Sequence, residues 1–439
     1  EVEIPNLLAM QVDSFNEFLQ KDIHPQRREK KGLQAVFENA FPLEDAKGNF
    51  LLEFVEYSVL QEKYTIEECR DRNLTYQAPL KAKMRLSVFE NNEGVREHKD
   101  TLEQEVFLGE IPLITEQGTF VINGAERVII SQLQRSPGVF FSEEKHPSGK
   151  TLYSAKVIPY SGSWLDFDID IHDVMYVHID KRRKLPVTTL FRAIGISTNE
   201  DLRKTFYKTE QLNLKSAKGR HLYADIYETD NPEPIALANE QITDSLIKFL
   251  TERKITKVEV IDYNYEIARK VLENTLAKDP TTNQEEALKK IYALIRPGED
   301  APIEVAKQLV DRMFFNEKRY NLGEVGRYKM NTRLGINVDP KVMTLTVEDF
   351  VYIFKTLINI YHDEDEVDDI DHLSNRRVRT VGELLQEQYT SGMAMISRII
   401  QERMAISNID EVTVHDLVNS NALISVVQSF FLTGQLSQF

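Results

Sequence analysis

The sequence predicts an α+β fold built from more than one domain, and three observations carry that prediction. Leu80, Ala82, Met84, Leu86 and Val88 alternate with Lys81, Lys83, Arg85 and Ser87, the two-residue period of a half-buried strand. Thr119-Phe120-Val121-Ile122 and Glu126 to Ile130 flank Asn123-Gly124, a pair that supplies the positive φ angles of a two-residue hairpin turn. Beyond about Asn239 the apolar spacing becomes mainly helical. The chain has 439 residues, and at roughly 150 residues per domain two or three domains are expected.

The elements follow in order. Pro5 sits at a first-turn position, and Leu8, Val12, Phe15 and Leu19 after it keep the spacing of an amphipathic helix. After the strand at Leu80 to Val88 and the hairpin, β character continues through Leu152 to Tyr160, Trp164 to Ile169 and Met175 to Ile179. Leu185-Pro186 then opens a helical stretch. A short strand at Val258 to Ile261 interrupts the helical part, after which Ile267, Val271, Leu272 and Leu276 return to helical spacing. A helix from Asn283 to Leu294 is closed by Arg296-Pro297-Gly298. Another runs from Thr346 to Tyr361, opened by the capping-box pair Thr346 and Asp349, with Phe350, Ile353, Phe354, Leu357 and Ile358 in one apolar stripe. Helices at about Gly382 to Met404 and Ala422 to Leu432 finish the chain. No fixed-period repeat occurs, and the one strongly biased segment is the acidic run His362 to Asp371.

Composition excludes several function classes. Fifty-four basic residues against seventy acidic ones give a net charge of −16, so a protein that coats polyanions is excluded and any nucleic-acid contact must come from local basic patches. A hydrophobic share of 41% with 28% charged residues is enough to bury sizeable cores, which argues against disorder. The single cysteine, Cys69, allows neither an internal disulfide nor a multi-cysteine zinc site, and points to a cytoplasmic protein. No apolar run approaches the roughly 18 residues of a spanning helix, so no membrane partner is expected. The start, Glu1-Val2-Glu3-Ile4-Pro5, lacks a basic n-region and an initiator Met, and reads as an internal boundary of a longer chain, not as a signal peptide.

The common enzyme signatures are missing: no Gly-x-x-x-x-Gly-Lys loop, no Gly-x-Gly-x-x-Gly, no His-Glu-x-x-His and no Gly-x-Ser-x-Gly. The run Asp363 to Asp371 lacks the glycine turn and distal glutamate of a calcium loop, so it is expected to be a solvated loop rather than an ion site. The nine histidines are scattered without zinc-ligand spacing. Three features suit nucleic acid better. Lys181-Arg182-Arg183-Lys184 and Asn375-Arg376-Arg377-Val378-Arg379 cluster cations at loop positions, and guanidinium forks match phosphate oxygens. Trp164, the only tryptophan, lies in Ser161-Gly162-Ser163-Trp164-Leu165-Asp166, where its face could stack on an unpaired base. Against these stand the ordinary roles of a lone tryptophan in a core and of basic runs on a solvated face. Composition alone leaves function open.

Longer strings carry a resemblance. Gly118-Thr119-Phe120-Val121-Ile122-Asn123-Gly124-Ala125-Glu126-Arg127-Val128-Ile129, then Ser131-Gln132-Leu133 and Arg135-Ser136-Pro137-Gly138-Val139, resemble the N-terminal region of the bacterial RNA polymerase β subunit. So do Gly162-Ser163-Trp164-Leu165-Asp166-Phe167, Val367-Asp368-Asp369-Ile370-Asp371-His372-Leu373 with Asn375-Arg376-Arg377, and Gln435-Leu436-Ser437-Gln438-Phe439. The matches are in order and span nearly the whole chain.

The resemblance implies an α+β chain of two domains, a mixed α/β protrusion with an inserted lobe domain, which form one wall of a DNA cleft. The protrusion would be residues 1–124 and 376–439, and the lobe residues 125–375. It implies DNA-templated nucleotidyl transfer by the assembled DNA-directed RNA polymerase, with magnesium held by the β′ subunit, no cofactor in this fragment and no catalytic residue in it. The fragment alone would be inactive. Its implied partners are DNA, the α, β′ and ω subunits, the remainder of β, a sigma factor, and transcription-regulating or repair-coupling proteins at the protrusion. By motif, Arg135, Trp164, Asp180, Ile370, Asp371, Arg376 and Arg398 would line a pocket for an unpaired base of the non-template strand, with Lys181, Arg182 and Arg183 on phosphate. Arg127, Ile130, Gln132, Gln435, Leu436, Ser437, Gln438 and Phe439 would belong to the rifamycin pocket, within which the chain stops as a fragment. Two departures stand out: Leu432-Thr433-Gly434, where many relatives carry Gly and Ser, and Thr101-Leu102-Glu103, where some have Ile-Lys-Glu at an edge-strand docking site. The competing reading is an independent acidic module that docks proteins and never touches nucleic acid; the net charge of −16 favours it, whereas Trp164 and the two arginine clusters favour the polymerase reading.

Overall fold

The computed structural model describes residues 6, 8–92, 95–181, 183–227, 233–299, 302–317, 319–362, 364–407, 412–434 and 437–438. The chain forms two compact units, Glu1–Gln134 with Val378–Phe439, and Arg135–Arg377.

In the first unit the alternating stretch lies in the longer strand Gln77–Asn92, third in an antiparallel sheet ordered Leu43–Glu44, Phe50–Val59, Gln77–Asn92, Val95–Pro112. Leu80, Ala82, Met84, Leu86 and Val88 are all buried, in one core with Phe15 and Leu19 of the helix Ala9–Leu19, Val36 and Phe37 of the helix Gly32–Ala40, and Leu385, Tyr389 and Ile396 of the helix Val381–Ile406. Pro5 lies outside the described residues. On the polar face Lys83 and Arg85 reach Glu103 at 3.2 and 2.7 Å, and Lys81 reaches Glu105 at 3.5 Å. Exposed pairs of this kind contribute little energy, because water screens them. Their complementarity instead favours this cross-strand register.

The hairpin forms from Phe120–Ile122 and Ala125–Ile129. Asn123 and Gly124 take φ values of 50° and 78°. A Cβ on Gly124 would stand 2.8 Å from Asn73 Cα, so both the turn and the close approach need glycine. The strand Ser437–Gln438 adds to it, with Ser437 opposite Ile129 and Gln438 opposite Val128. That pairing keeps the hairpin with the first unit. The two units divide at 134/135 and 377/378; the resemblance implies domain limits at 124/125 and 375/376.

The second unit is built on an antiparallel sheet ordered Leu185–Pro186, Met175–Ile179, Leu165–Ile169, Thr151–Ile158, Gly138–Lys145. Leu165, Phe167, Ile169, Met175, Val177 and Ile179 point into its core. Leu185-Pro186 is a short edge strand of this sheet, and Pro186 is also the N-cap of the helix Val187–Ala193 that follows it directly, as the sequence predicts. Helices Glu266–Lys278, Gln284–Ile295, Ile303–Phe314, Gly323–Leu334 and Val347–Tyr361 contribute to the same core. Phe354 from the apolar stripe meets Phe206 with ring centroids 4.3 Å apart.

Thr346 and Asp349 do form a capping box: Asp349 N–H donates to Thr346 Oγ1 at 3.2 Å and Thr346 N–H donates to Asp349 Oδ2 at 2.7 Å. The same carboxylate receives the Arg327 guanidinium in a fork, at 2.7 and 3.0 Å, with both side chains fully buried. Arg327 also donates to the carbonyls of Val342 and Thr344. A satellite core of Leu214, Leu222, Leu246, Leu250, Val258 and Val260 lies around the ribbon Thr209–Asn213 with Lys257–Ile261 and the helix Asp244–Glu252. Among the described residues no helix is long and apolar enough to cross a membrane.

Candidate nucleic-acid interface

The loop that carries Trp164 is held at both ends. Ser161 and Asn321 exchange backbone hydrogen bonds of 3.0 and 2.7 Å. Gly162, at φ 134°, lies so close to the next loop that a Cβ would come within 2.7 Å of the Tyr320 ring. Trp164 N–H donates to Asp180 Oδ1 at 2.8 Å, and Asp180 N–H returns a bond to Trp164 O at 3.0 Å. Asp180 and Lys181 both take left-handed backbone conformations, φ 49° and 58°, which are costly for residues with a Cβ and mark an over-determined turn. Trp164 itself is only half-buried, so it is not a core residue of the ordinary kind.

The acidic run divides into two parts. Asp368 accepts from Phe141 N–H at 2.7 Å and donates its own N–H to Phe141 O at 2.8 Å. Arg333 grips Asp368 at 3.0 Å and Asp365 at 2.9 Å, donates to Glu366 O at 2.5 Å, and lies 4.8 Å above the Phe141 ring. The expectation of a solvated loop is therefore corrected for this part: a helix-borne arginine ties it to the sheet. Asp363 lies outside the described residues. Asp371, beyond the clamp, is different. Its side chain is 85% exposed and it is ion-paired with Arg376. Among the described residues no group of three or more His, Cys, Asp or Glu could hold a metal ion.

Backbone and ring contacts bring these pieces together within the second unit. Ser136 N–H donates to Asn375 O at 2.9 Å, so Arg135 and Arg376 flank one hydrogen bond. Lys329 Nζ donates to Ser374 O at 2.5 Å. The Arg377 guanidinium stands 4.8 Å from the ring centre of Tyr160, four residues before Trp164. Ile370, half-buried, precedes Asp371. Thus Arg135, Trp164, Asp180, Ile370, Asp371 and Arg376 share one unit, within which Trp164 is paired with Asp180 and Asp371 with Arg376. Arg398 does not share that unit: it is on the helix Val381–Ile406, exposed, with Glu402 at 3.5 Å.

Of the basic run, Lys181 and Arg183 are exposed and Arg182 lies outside the described residues. Lys184 Nζ sits 4.1 Å over the Tyr176 ring. Lys181 borders a polar groove on the outer sheet face with Ser154, Lys156, Asp166, Asp168 and His178. Lys156 reaches Asp166 and His178 reaches Asp168, both at 3.4 Å. Burial raises the Asp168 carboxyl above its usual range, with Asp166 adding to the rise and His178 opposing it. Sequence reasoning passed over this groove, although its signal was present: Asp166, Asp168 and His178 are the outward members of strands whose inward members are apolar.

The second predicted group gathers in the first unit. Arg127 Nη1 lies 3.4 Å from both Leu432 O and Ser437 Oγ, and Ser437 Oγ donates to Phe431 O at 2.7 Å. Gln132 Nε2 donates to Ile130 O at 3.3 Å. Gln438 extends the ladder opposite Val128. Gln435, Leu436 and Phe439 lie outside the described residues.

Residues 6–425 match the family model described as RNA polymerase beta subunit. A protein of Cytophaga hutchinsonii named DNA-directed RNA polymerase subunit beta is 44% identical, covering 100% of this chain and 35% of the relative. The proteins of that name from Porphyromonas gingivalis and Bacteroides fragilis are 44% and 43% identical, covering 99% and 100% of this chain and 36% of each relative. The chain thus spans about a third of the length of the curated relatives it matches.

Proposed function

The chain belongs to the RNA polymerase beta subunit family, and from that premise we propose that it contributes one wall of the DNA cleft in a cytoplasmic DNA-directed RNA polymerase. The unit Arg135–Arg377 takes the part of the lobe and the other unit that of the protrusion. The catalytic centre lies outside these residues, with magnesium held by the β′ subunit, and the isolated chain extends no RNA primer. Partners are DNA, the α, β′ and ω subunits, the remainder of β, sigma factor, and regulatory or repair-coupling proteins at the protrusion edge strand Val95–Pro112. Arg127, Ile130, Gln132 and the residues from Gln435 to Phe439 form part of the rifamycin pocket.

The observation that carries the reading is the Tyr160–Arg377 contact, which joins the loop of Trp164 to the strand of Arg376. It supports a pocket for one unpaired non-template base. Trp164 supplies a stacking face, which is indifferent to base identity. Asp371, exposed and oriented by Arg376, supplies a carboxylate that accepts from the N–H donors of guanine. Arg135, Arg376, Lys181, Arg182 and Arg183 hold phosphate.

The test uses reconstituted polymerase and open complexes carrying each of the four bases at the relevant non-template position. Trp164→Ala is expected to weaken capture of every base by about 1–3 kcal/mol. Asp371→Ala is expected to erase the guanine preference, worth roughly 1–3 kcal/mol, and to leave the other bases nearly unchanged. If Asp371→Ala alters the lifetimes of all four complexes equally, the pocket assignment fails.

A further inference from the structure

We propose that Asn375 is a positioning residue for base discrimination: it clips the turn that presents Asp371, and the guanine preference of the pocket depends on that clip. The role rests on the base pocket proposed above and adds to it a residue that acts only through another.

The turn is short and solvated. Asp371, His372, Leu373 and Ser374 are all exposed, so packing does not fix the carboxylate. Hydrogen bonds take its place. Asp371 N–H donates to Asp369 Oδ1 at 2.9 Å, and the Asp369 carbonyl accepts from Asn375 Nδ2 at 2.7 Å. On its other side the Asn375 amide oxygen accepts from Lys329 Nζ at 3.4 Å, and the same ammonium donates to Ser374 O at 2.5 Å. The main chain of Asn375 is used as well: its N–H donates to His372 O and its carbonyl accepts from Ser136 N–H, both at 2.9 Å. One residue therefore closes the segment from Asp369 onward and moors it to the helix Gly323–Leu334.

The two ends of the clipped segment are the two members of the ion pair, Asp371 and Arg376. An exposed pair of this kind fixes geometry weakly by itself, whereas a carboxylate that selects one base edge must keep its direction. The residue type follows from the partners. A carbonyl on one side needs a donor and an ammonium on the other needs an acceptor, and a side-chain amide supplies both from one planar group. Aspartate in its place would turn an acceptor toward the Asp369 carbonyl, and alanine would supply neither group.

The experiment uses reconstituted polymerase and open complexes carrying each of the four non-template bases, with Asn375→Ala, Asp371→Ala and the double variant. Asn375→Ala should lower the ratio of the guanine lifetime to the other three by about tenfold, with those three changed less than about twofold. In the Asp371→Ala background it should change the ratio no further, the non-additivity expected of a residue that acts through its neighbour. In the same enzyme, amide exchange of the peptide holding Asp371 should be about fivefold faster in Asn375→Ala. An intact guanine ratio, an equal loss for all four bases, a fully additive loss in the double variant or unchanged exchange overturns the proposal. Failure of the pocket reading looks different: Asp371→Ala then shifts all four lifetimes equally, which overturns both, whereas loss of the ratio in Asp371→Ala but not in Asn375→Ala overturns the clip alone.

Discussion

Asp349 and Asp371 belong to the same compact unit, each holds an arginine, and the two pairs have opposite consequences. Asp349 is fully buried, caps its helix and receives a two-pronged Arg327 whose other donors end on carbonyls. Asp371 is 85% exposed and, among the described residues, its side chain is paired with Arg376. The first carboxylate has no capacity left for a ligand, and losing it strands a buried cation. The second retains acceptor capacity facing solvent, and losing it strands nothing. Residue type and pairing are therefore poor guides to role; what separates structure from binding is how many of a carboxylate's lone pairs the fold has already used.

The strongest way to break this contrast is Asp349→Ala, which should lower the unfolding free energy by about 3–5 kcal/mol in a denaturant titration; a loss below about 1 kcal/mol would put the two pairs in one class. Asp173 sharpens it by pH. Burial pushes this carboxyl up, but hydrogen bonds from Lys150, Lys270 and Tyr361 outweigh burial and leave its pKa at about 2. Its folded value lies below the unfolded value of about 3.9, so its stabilisation is complete above that value and disappears as pH falls through about 2. The amount is roughly 2–3 kcal/mol. In Asp173→Asn the decline in unfolding free energy between pH 5 and 2 should be shallower by that amount.

Arg333→Ala tests the middle case, the half-buried clamp on Asp365 and Asp368, and should cost roughly 1–2 kcal/mol with faster amide exchange at Asp368. Asp371→Ala should change stability by less than about 1 kcal/mol even as it removes guanine preference in the assembled enzyme. The smallest effect is expected at the exposed cations. Lys181→Ala with Arg183→Ala should flatten the salt dependence of promoter-complex lifetime by a slope of about one to two, and an unchanged slope would make this run a solvated face.

Local chemistry was legible where one signal dominates. Asn123-Gly124 can satisfy a tight turn almost alone, and Thr346 with Asp349 announces a helix start, so both elements form where the sequence predicts them. Periodicity does not reveal the strand Val95–Pro112, because its first half, from Arg96 to Glu105, is dense in charge, the composition of an edge strand rather than of a core one; only the resemblance places Thr101-Leu102-Glu103 on an edge strand. Its partners Lys83 and Arg85 gave no hint without knowledge of which strand lies opposite. The acidic run shows the same limit: nothing in Asp365 or Asp368 indicates that Arg333, over thirty residues earlier, would reach them. The shared unit of Arg135, Trp164 and Asp371 is likewise a product of long-range contacts, which periodicity cannot supply.

Trp164 also gives the chain an optical address. It is the sole indole among seventeen tyrosines, and it is half-buried beside Asp180. Red-edge excitation therefore selects one side chain in the whole sequence, and in the proposed pocket that side chain is the stacking face. Quenching of its emission would report occupancy of that position without any label, while binding elsewhere would leave the signal to change only through the fold.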